Sequence, residues 1–366
     1  MERHASASNP KHTNIGIVGL GIIGRGIAAH LRRKCFPVFV WNRSPRPVPN
    51  FVGSLGELAG LCNYIQIFVS DDDALLQAVE QLSEKLTPRH VVLAHSTVAP
   101  DSMRAAAETV ERGGARFVEA CFTGSKGAAE KGELVYYVGG TDDALRQARP
   151  ILEASSKEIL YIGSVGQASA IKIATNMITA ASVQATAEAL ALVQALGLPM
   201  EKFVEAMRSN ASHSTTLAMK LPKILNRDFE PHFSAKHMLK DMQIANQIGL
   251  SNYLDLGVTA AARDQLLEQM HWGHGDDDYS VVARKYLQEA AGVVTEELQL
   301  EEDEGQANAE MVASATEMET GSQQGASPEL SPTPSLGVAS TGAKEATRLR
   351  RSFLKQLLSR LSSGKE

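Results

Sequence analysis

Cysteine and positive charge are scarce in this sequence of 366 residues. The three cysteines, Cys35, Cys62 and Cys121, are scattered and form neither a CxxC pair nor a disulfide framework, which is typical of a reducing compartment. Lys and Arg number 36 against 42 Asp and Glu, so the formal net charge is -6. This balance argues against nucleic-acid binding over the whole surface, although a local basic tail is compatible with it.

A targeting segment and an uninterrupted apolar run are also missing. Residues 1–13 have no apolar h-region and too few arginines for a transit peptide. The most apolar stretch, residues 173–198, is interrupted by Asn176, Gln184, Glu188 and Gln194, which favours burial in a protein core over a membrane span. We therefore expect a cytoplasmic protein.

Strand and helix patterns alternate through the first half of the chain. With 43% hydrophobic and 21% charged residues, the composition is that of a globular protein, and the length predicts two domains plus a remainder. The alternation of strand and helix patterns predicts an α/β fold with a doubly wound parallel sheet covered by helices on both faces. The predicted strands are residues 14–19, 38–41, 64–69, 91–95, 116–120 and 135–138.

The second half of the chain has a different pattern. Strand patterns stop near residue 166, and residues 171–196 form one long predicted helix that ends at Gly197, with Pro199 just beyond. Helical patterns continue to about residue 292. Residues 293–342 are predicted to be a disordered linker because they contain few large apolar residues, and residues 343–366 are predicted to be a basic amphipathic tail helix.

The first motif is a GxGxxG turn directly after the first strand and directly before a helix. In this context the glycines allow a tight turn, a close approach of the backbone to a pyrophosphate and close helix–strand packing. The helix N-terminus offers free N–H groups to the phosphates. A glycine-rich turn without a ligand is the weaker alternative. We predict a cofactor contact along the whole turn, which comprises Gly19, Leu20, Gly21, Ile22, Ile23 and Gly24.

The end of the second strand predicts which dinucleotide is bound. NAD-selective sites usually place a carboxylate here for the ribose hydroxyls, whereas this chain has Asn42, Arg43 and Ser44. A guanidinium can pair with a 2′-phosphate, and no acid is present to repel that group. We therefore predict NADP(H) in preference to NAD(H). The alternative is an exposed Arg43 that touches nothing.

Small and hydroxyl-bearing residues follow three other predicted strands. Thr123, Gly124 and Ser125 follow the fifth, where ligands bind in open α/β sheets; an ordinary turn is the alternative. Residues after the third and fourth strands are expected to contact the cofactor or the substrate. These residues are Val69, Ser70, Ser96 and Thr97.

Two clusters in the helical half carry charged groups. Lys172 and Asn176 lie one turn apart on one helix face among apolar residues, where burial can lower the pKa of a lysine toward the range useful for proton transfer. A snorkelling or paired structural lysine is the alternative. Further on, Phe233, Lys240 and Asp241 form an aromatic, cationic and acidic cluster, with a core aromatic beside a solvated charged turn as the alternative.

A metal site is not expected. His271 and His274 precede an acidic run, but no third ligand follows at a recognisable spacing, so a loop at a helix junction is the better interpretation.

These motifs together resemble the β-hydroxyacid dehydrogenase family, which is related to 3-hydroxyisobutyrate dehydrogenase and 6-phosphogluconate dehydrogenase. The greatest similarity is to its glyoxylate/succinic semialdehyde reductase branch. The resemblance spans residues 14–292 and is most specific in the segments beginning at Thr123, at Lys172 and at Phe233. It implies an NADP-binding Rossmann domain over residues 13–164. It also implies a long interdomain helix and an all-α substrate and dimerisation domain over residues 165–292, in a homodimer or homotetramer.

The same resemblance implies roles for individual residues. Lys172 matches the general acid, and Asn176, Thr123 and Gly124 match residues that hold the substrate, with Ser125 beside them. Thr97 and Lys240 match cofactor contacts, whereas Phe233 and Asp241 match residues that complete the pocket. The chain departs from the family at Ala120–Thr123, where Ala-Pro-Val-Ser is usual, and at His95, which replaces an acid.

The expected function is NADPH-dependent reduction of a small carboxylate-bearing aldehyde or 2-oxo acid. Glyoxylate and succinic semialdehyde are the leading substrates. A 3-hydroxyisobutyrate-type dehydrogenase is the alternative within the same chemistry. An alternative of another class is a catalytically weak Rossmann scaffold protein that acts through its tail helix, which is expected to contact a membrane surface or a protein partner.

Overall fold

The computed structural model describes residues 13–287, which belong to one compact unit of the chain. A seven-stranded sheet, with strand order β2-β1-β3-β4-β5-β6-β7, occupies their first half. Its strands are β1 (Ile15–Val18), β2 (Val38–Trp41), β3 (Tyr64–Ile67), β4 (Val91–Ala94), β5 (Arg116–Thr123), β6 (Leu134–Gly139) and β7 (Ser156–Gly163).

Helices cover both faces of this sheet, as the alternating pattern predicts. They are α1 (Ile22–Arg33), α2 (Leu55–Leu61), α3 (Asp72–Ser83), α4 (Pro100–Arg112), α5 (Lys126–Lys131) and α6 (Asp142–Glu153). One core packs α2, α3 and α4 against the sheet through residues such as Leu58, Leu82 and Met103. The other packs α1 and α6 against the opposite face, through residues such as Leu31 and Ile151. The doubly wound α/β fold is therefore confirmed.

The sheet departs from the sequence prediction at its far edge. Strand β6 pairs antiparallel with β5, because the connection containing the short helix α5 is too brief for a parallel crossover. Strand β7, which pairs parallel with β6, was not predicted. It lies at the sheet edge and exposes Lys157, Glu158 and Tyr161, so it lacks the apolar pattern of a buried strand.

The second half of the described region is helical. It contains α7 (Gln167–Ala195), α8 (Met200–Arg208), α9 (Thr215–Leu225), α10 (Ala235–Ser251), α11 (Gly257–His271) and a 3-10 helix, Tyr279–Tyr286. A third core joins these helices through Val183, Leu221 and Met242. The long predicted helix is confirmed as α7, which begins four residues earlier than predicted because a glycine, Gly166, occupies its N-cap and gives no strong start signal.

Three predictions on organisation stay open: the linker, the tail helix and the domain boundary. No helix among residues 13–287 is long and apolar enough to cross a membrane. The predicted linker, residues 293–342, and the predicted tail helix, residues 343–366, lie outside the described residues. The boundary between a cofactor domain and a helical domain near residue 165 stays a prediction.

Candidate active site

The glycine turn lies where the strand order reverses, between β1 and β3, which is the position at which open α/β sheets bind ligands. Gly19 has φ +94°, and a Cβ there would lie 2.0 Å from the Phe68 carbonyl oxygen, so only glycine fits. A Cβ on Gly21 would meet no heavy atom within 4 Å. Gly21 is the N-cap of α1 and offers no side-chain cap to its first turn. The open space and the uncapped helix N-terminus suit a pyrophosphate.

The end of β2 is tied to this turn by Asn42. Its side-chain oxygen accepts a hydrogen bond from the Leu20 N–H at 2.9 Å, and its amide nitrogen donates to the Ser44 carbonyl at 2.8 Å. Arg43 and Ser44 are exposed. The carboxyl group of Asp71 lies nearby. Burial raises its pKa, but hydrogen bonds from Ser70 and Ala74 and the charges of Lys240 and Arg43 together lower it below the usual range.

The ends of β3 and β4 are joined by Ser96. Its buried hydroxyl accepts from the Val69 N–H at 2.9 Å and donates to the Val69 carbonyl at 2.8 Å. Both hydrogen bonds of this hydroxyl therefore go to the protein, so Ser96 shapes the predicted cofactor surface. Ser70 donates to Asp71 at 2.5 Å, and Asp71 caps α3 through Ala74.

A hydrogen-bonded network of side chains joins three distant segments. The Lys172 ammonium donates to Asn176 Oδ1 at 3.0 Å, and the Asn176 amide donates to Asp241 Oδ2 at 2.6 Å. Lys240 donates to Asp241 Oδ1 at 2.7 Å and also to the carbonyl oxygen of Thr97. The network therefore runs from the end of β4, through α10, to α7. Five of the residues that sequence reasoning selected meet here.

Lys172 occupies an unusual environment for an ammonium group. Its hydrogen-bond partner is the neutral amide of Asn176 and not a carboxylate. Burial lowers the pKa of Lys172, while the charge of Asp241 opposes that shift. An ammonium held in this way releases its proton more readily than a solvated one. This environment favours a chemical role over that of a structural lysine paired with an acid.

The predicted substrate loop begins at the end of β5. Thr123 is the last residue of that strand, Gly124 is exposed with φ +134°, and Ser125 is the N-cap of α5. Two residues before Thr123, the Cys121 sulfur lies 3.6 Å from the Ser169 hydroxyl at the start of α7. The strand that leads into the loop is thus packed against the helix that carries Lys172.

Comparison with protein families accounts for the whole described region. Residues 14–163 match the NAD binding domain of 6-phosphogluconate dehydrogenase. Residues 166–286 match the NAD-binding domain of NADP-dependent 3-hydroxyisobutyrate dehydrogenase. The chain belongs to the β-hydroxyacid dehydrogenase family. It is accordingly an NAD(P)-dependent oxidoreductase that acts on CH–OH groups.

Known family members and relatives resemble the chain over about three quarters of its length. Glyoxylate/succinic semialdehyde reductase 1 of Arabidopsis thaliana is 29% identical over 278 residues, which cover 73% of this chain and 96% of the relative. The human cytokine-like nuclear factor N-PAC is 27% identical over 288 residues, 76% of this chain and 52% of that protein. The Mycobacterium tuberculosis 3-hydroxyisobutyrate dehydrogenase structure has a TM-score of 0.67 at 23% identity, covering 75% and 99% of the two chains, and shows the same fold.

Phe233 lies outside the hydrogen-bonded network of this β-hydroxyacid dehydrogenase. Its ring is stacked 6.2 Å from His237 and lies edge-on 6.1 Å from Tyr279. Its backbone N–H donates to Asp278 at 3.3 Å. Asp278 is fully buried and forms an ion pair with buried Lys220 at 2.6 Å. The segment that carries Phe233 is therefore fixed by an ion pair in the helical core.

Sequence reasoning gave no role to several buried polar groups of this dehydrogenase. Besides the Lys220–Asp278 pair, the side chains of Glu119 and His95 are fully buried. Burial lowers the pKa of His95 to about 3, and its ring stacks on Phe68 at 4.4 Å. Glu119 and His95 could have been recognised from sequence as buried polar groups, because each stands within or directly after an apolar strand segment.

The histidines near the acidic run make other contacts. Within residues 13–287 no group of three His, Cys, Asp or Glu side chains could hold a metal ion. His274 instead lies 3.0 Å from the guanidinium of Arg284 and 3.3 Å from Asp277. It contributes to the surface where α11 meets the 3-10 helix.

Proposed function

We propose that this dehydrogenase is an NADPH-dependent reductase of small aldehydes or 2-oxo acids that carry a carboxylate. Conversion of glyoxylate to glycolate and of succinic semialdehyde to 4-hydroxybutyrate are the leading reactions. The observation that carries this proposal is the network in which Lys172 is held by the Asn176 amide and linked through it to Asp241. The similarity to the Arabidopsis reductases supports the choice of substrates.

Lys172 acts as the general acid in the proposed reaction. When bound, the reduced nicotinamide supplies a hydride to the carbonyl carbon. Negative charge then develops on the carbonyl oxygen, and the Lys172 ammonium donates a proton to it. The product is an alcohol, and the neutral amine regains a proton from solvent. Asn176 Oδ1 orients the ammonium, and the negative charge of Asp241 favours its protonated form.

The substrate carboxylate is proposed to bind to the backbone N–H groups of the loop Thr123–Gly124–Ser125. Small residues let a ligand approach the backbone closely at this strand end. Phe233 and Asp241 complete the pocket from the helical part of the chain. Thr97 and Lys240, which contact each other, contribute to the cofactor side of the same pocket.

The cofactor preference is proposed to depend on Arg43. Asn42 stands where NAD-selective sites carry an acid, and both ends of its amide are bound to the backbone. An exposed Arg43 beside it is free to approach a 2′-phosphate. Residues 13–164 are proposed to form the cofactor domain and residues 165–292 the substrate domain of a cytoplasmic enzyme.

A homodimer or homotetramer is proposed because α7 exposes large apolar side chains. Ile178 is 70% exposed and Leu192 is 62% exposed. In the last turn of α10, Leu250 is 77% exposed, and just after the helix Tyr253 is 98% exposed. Apolar exposure on this scale is typical of surfaces that another protein chain covers.

The proposal is tested by following NADPH oxidation with about ten small aldehydes and keto acids. We expect the highest kcat/KM with glyoxylate or succinic semialdehyde. Lys172→Ala should lower kcat by about two to four orders of magnitude and leave NADPH binding, measured by fluorescence titration, nearly unchanged. Full activity of this variant would remove Lys172 from the mechanism.

The cofactor arm of the same assay uses Arg43→Asp. This variant should raise the KM for NADPH about tenfold or more, because charge-assisted pairing is lost, and should change the KM for NADH far less. Equal changes for both cofactors would contradict the role of Arg43. A preference for 3-hydroxyisobutyrate would assign the same site to the 3-hydroxyisobutyrate-type reaction. Inactivity of the full chain with the whole panel would instead favour the scaffold alternative, with which the similarity to the cytokine-like nuclear factor N-PAC is also compatible.

A further inference from the structure

The N-terminus of α7 receives its cap from a distant strand. Gly166, the N-cap residue, provides no side chain for this purpose. Glu119 in β5 takes that place: Oε1 accepts from the Ser169 N–H at 2.6 Å, and Oε2 accepts from the N–H groups of Gly166 at 2.7 Å and Ala168 at 3.3 Å. A single carboxylate therefore binds the first turn of a helix that is 29 residues long.

The carboxylate of Glu119 is fully buried. Burial raises its pKa, and the groups that oppose this shift are the Ser169 hydroxyl and the backbone N–H donors of α7. Buried carboxylates are retained where hydrogen bonds and a helix N-terminus offset the loss of water. Because these compensating groups all belong to the start of α7, the side chain and the helix start are held in one arrangement.

The neighbouring strand leaves room for this carboxylate. Glu119 pairs with Gly139 in β6, and a Cβ on Gly139 would lie 2.8 Å from Glu119 Oε2. A larger residue there would push the carboxylate away from the helix. The packing of three elements, β5, β6 and α7, thus converges on one side chain.

Glu119 lies between the two halves of the proposed site. Along β5 the chain runs on from Glu119 to Thr123, where the substrate loop begins. Along α7 the chain continues from Ser169 to Lys172, less than one helical turn away. Between these points the Cys121 sulfur contacts both the Ser169 hydroxyl and the Ser96 carbonyl at 3.6 Å. The contact between strand and helix therefore extends toward the ammonium group.

Given that Lys172 is the general acid proposed above, we infer that Glu119 is a positioning residue that fixes the Lys172 ammonium relative to the substrate loop. Glu119 touches neither substrate nor cofactor in this role. It acts by holding the start of α7 on β5, so that the proton donor and the bound carbonyl keep their separation. A misplacement of about 1 Å is enough to slow an enzymatic step by up to a hundredfold.

The test compares Glu119→Gln, which keeps the shape but loses the charge, with Glu119→Asp and with Glu158→Gln. Glu158 is an exposed residue of β7 in the same sheet and serves as the matched control. Glu119→Gln should lower kcat between about tenfold and a hundredfold while the KM for NADPH stays within about twofold. Glu119→Asp should recover part of the loss, and Glu158→Gln should behave as the unaltered protein.

A double-mutant cycle separates positioning from a merely structural role. If Glu119 acts through Lys172, adding Glu119→Gln to Lys172→Ala should cause no further loss of residual kcat. A structural defect would lower both backgrounds by the same factor, and this additive result would overturn the inference. A kcat for Glu119→Gln within about twofold of that of the unaltered protein would also overturn the inference. Full activity of Lys172→Ala would have a different meaning, because it would remove the proposed function itself.

Folding is monitored in parallel by circular dichroism and thermal unfolding. If Glu119→Gln does not fold, Glu119→Asp in the same cycle supplies the test, because it keeps the charge and changes only the reach of the carboxylate. Non-additivity of Glu119→Asp with Lys172→Ala would support positioning. Additivity would contradict it.

Discussion

The charge state of Lys172 depends on two opposing effects at the level of single residues. Burial favours the neutral amine, whereas the carboxylate of Asp241 favours the ammonium. Asn176 lies between the two, since it accepts from Lys172 and donates to Asp241. The lysine pKa lies below its ordinary value, which makes the ammonium a stronger proton donor than a solvated one.

Replacing Asp241 should shift the pH dependence of reduction. The reaction needs protonated Lys172, so kcat/KM falls as the pH rises through the pKa of that lysine. Asp241→Asn removes a negative charge, which lowers the Lys172 pKa further. The alkaline limb of the kcat/KM profile should therefore move to lower pH by about one unit. Asp264→Asn, at an exposed position of α11, is the control, and an unmoved limb would contradict the coupling.

Some residue pairs of the candidate site can be predicted from their spacing in the sequence alone. Lys172 and Asn176 are four residues apart in a helix, and that spacing places them on one face whatever surrounds the helix. Their link to Asp241 spans 65 positions of the chain, and the link from Lys240 to Thr97 spans 143. No local pattern encodes such distances. The family resemblance selected these residues one by one, and the structure shows which of them meet.

At the scale of elements, the helical core depends on one buried ion pair. Lys220 in α9 and Asp278 before the 3-10 helix are buried, with side-chain exposures of 4% and 0%. Asp278 also accepts from the N–H groups of His232, Phe233 and Ser280. It thereby connects α9, the segment that carries Phe233 and the 3-10 helix.

Asp278→Asn should destabilise the protein strongly, because it leaves the ammonium of Lys220 buried without its counter-charge. We expect the free energy of unfolding, measured by urea denaturation, to fall by about 3–5 kcal/mol. The matched variant is Asp228→Asn, whose partner Lys223 lies on the same helix but whose own carboxylate is 51% exposed. Its cost should be far smaller than that of Asp278→Asn, because an ion pair exposed to solvent contributes little to stability. Similar losses of unfolding free energy in the two variants would contradict the prediction that burial determines the cost of breaking the ion pair.

Elements were predicted where their apolar pattern is strong and missed where it is weak. Strand β1, which leads into the glycine turn, is wholly buried, and β2, which ends before Asn42, alternates buried valines with half-buried aromatic residues. Both patterns are strong, so both strands were found from sequence. Strand β7 was missed because it lies at the edge of the sheet and has no fully buried residue. Its sequence therefore lacks the apolar pattern that identifies a buried strand. The antiparallel direction of β6 was not predicted because strand alternation does not reveal the length that a crossover needs.

At the scale of the whole molecule, both family matches and the network around Lys172 lie within residues 13–287. The described residues form four hydrophobic clusters, and the second of the two family matches ends at residue 286. The matched part of this chain corresponds to 96% of the Arabidopsis reductase. A chain that ends near residue 292 should therefore contain everything that turnover requires.

Truncation after residue 292 should leave kcat with the best substrate of the panel within about twofold of the full chain. The thermal midpoint should be similarly preserved, because both matched domains are kept whole. Both are measured beside the full chain, together with its sedimentation velocity. A large loss of turnover would show that the tail takes part in the reaction. A change in sedimentation alone would assign the tail to assembly or partner binding.

The sequence by itself determined the features that depend on short spacing. These are the dinucleotide-binding turn, the alternation of strands and helices, the long helix α7 and the pairing of Lys172 with Asn176, and all of them follow from the periods of helices and strands. Only the tertiary structure decided which distant groups meet. Examples are the cap that Glu119 gives to α7, the link between Lys240 and Thr97, and the pair Lys220–Asp278. These contacts arise from the packing of separate elements. That packing depends on the shapes of the buried surfaces and not on the order of residues along any one element.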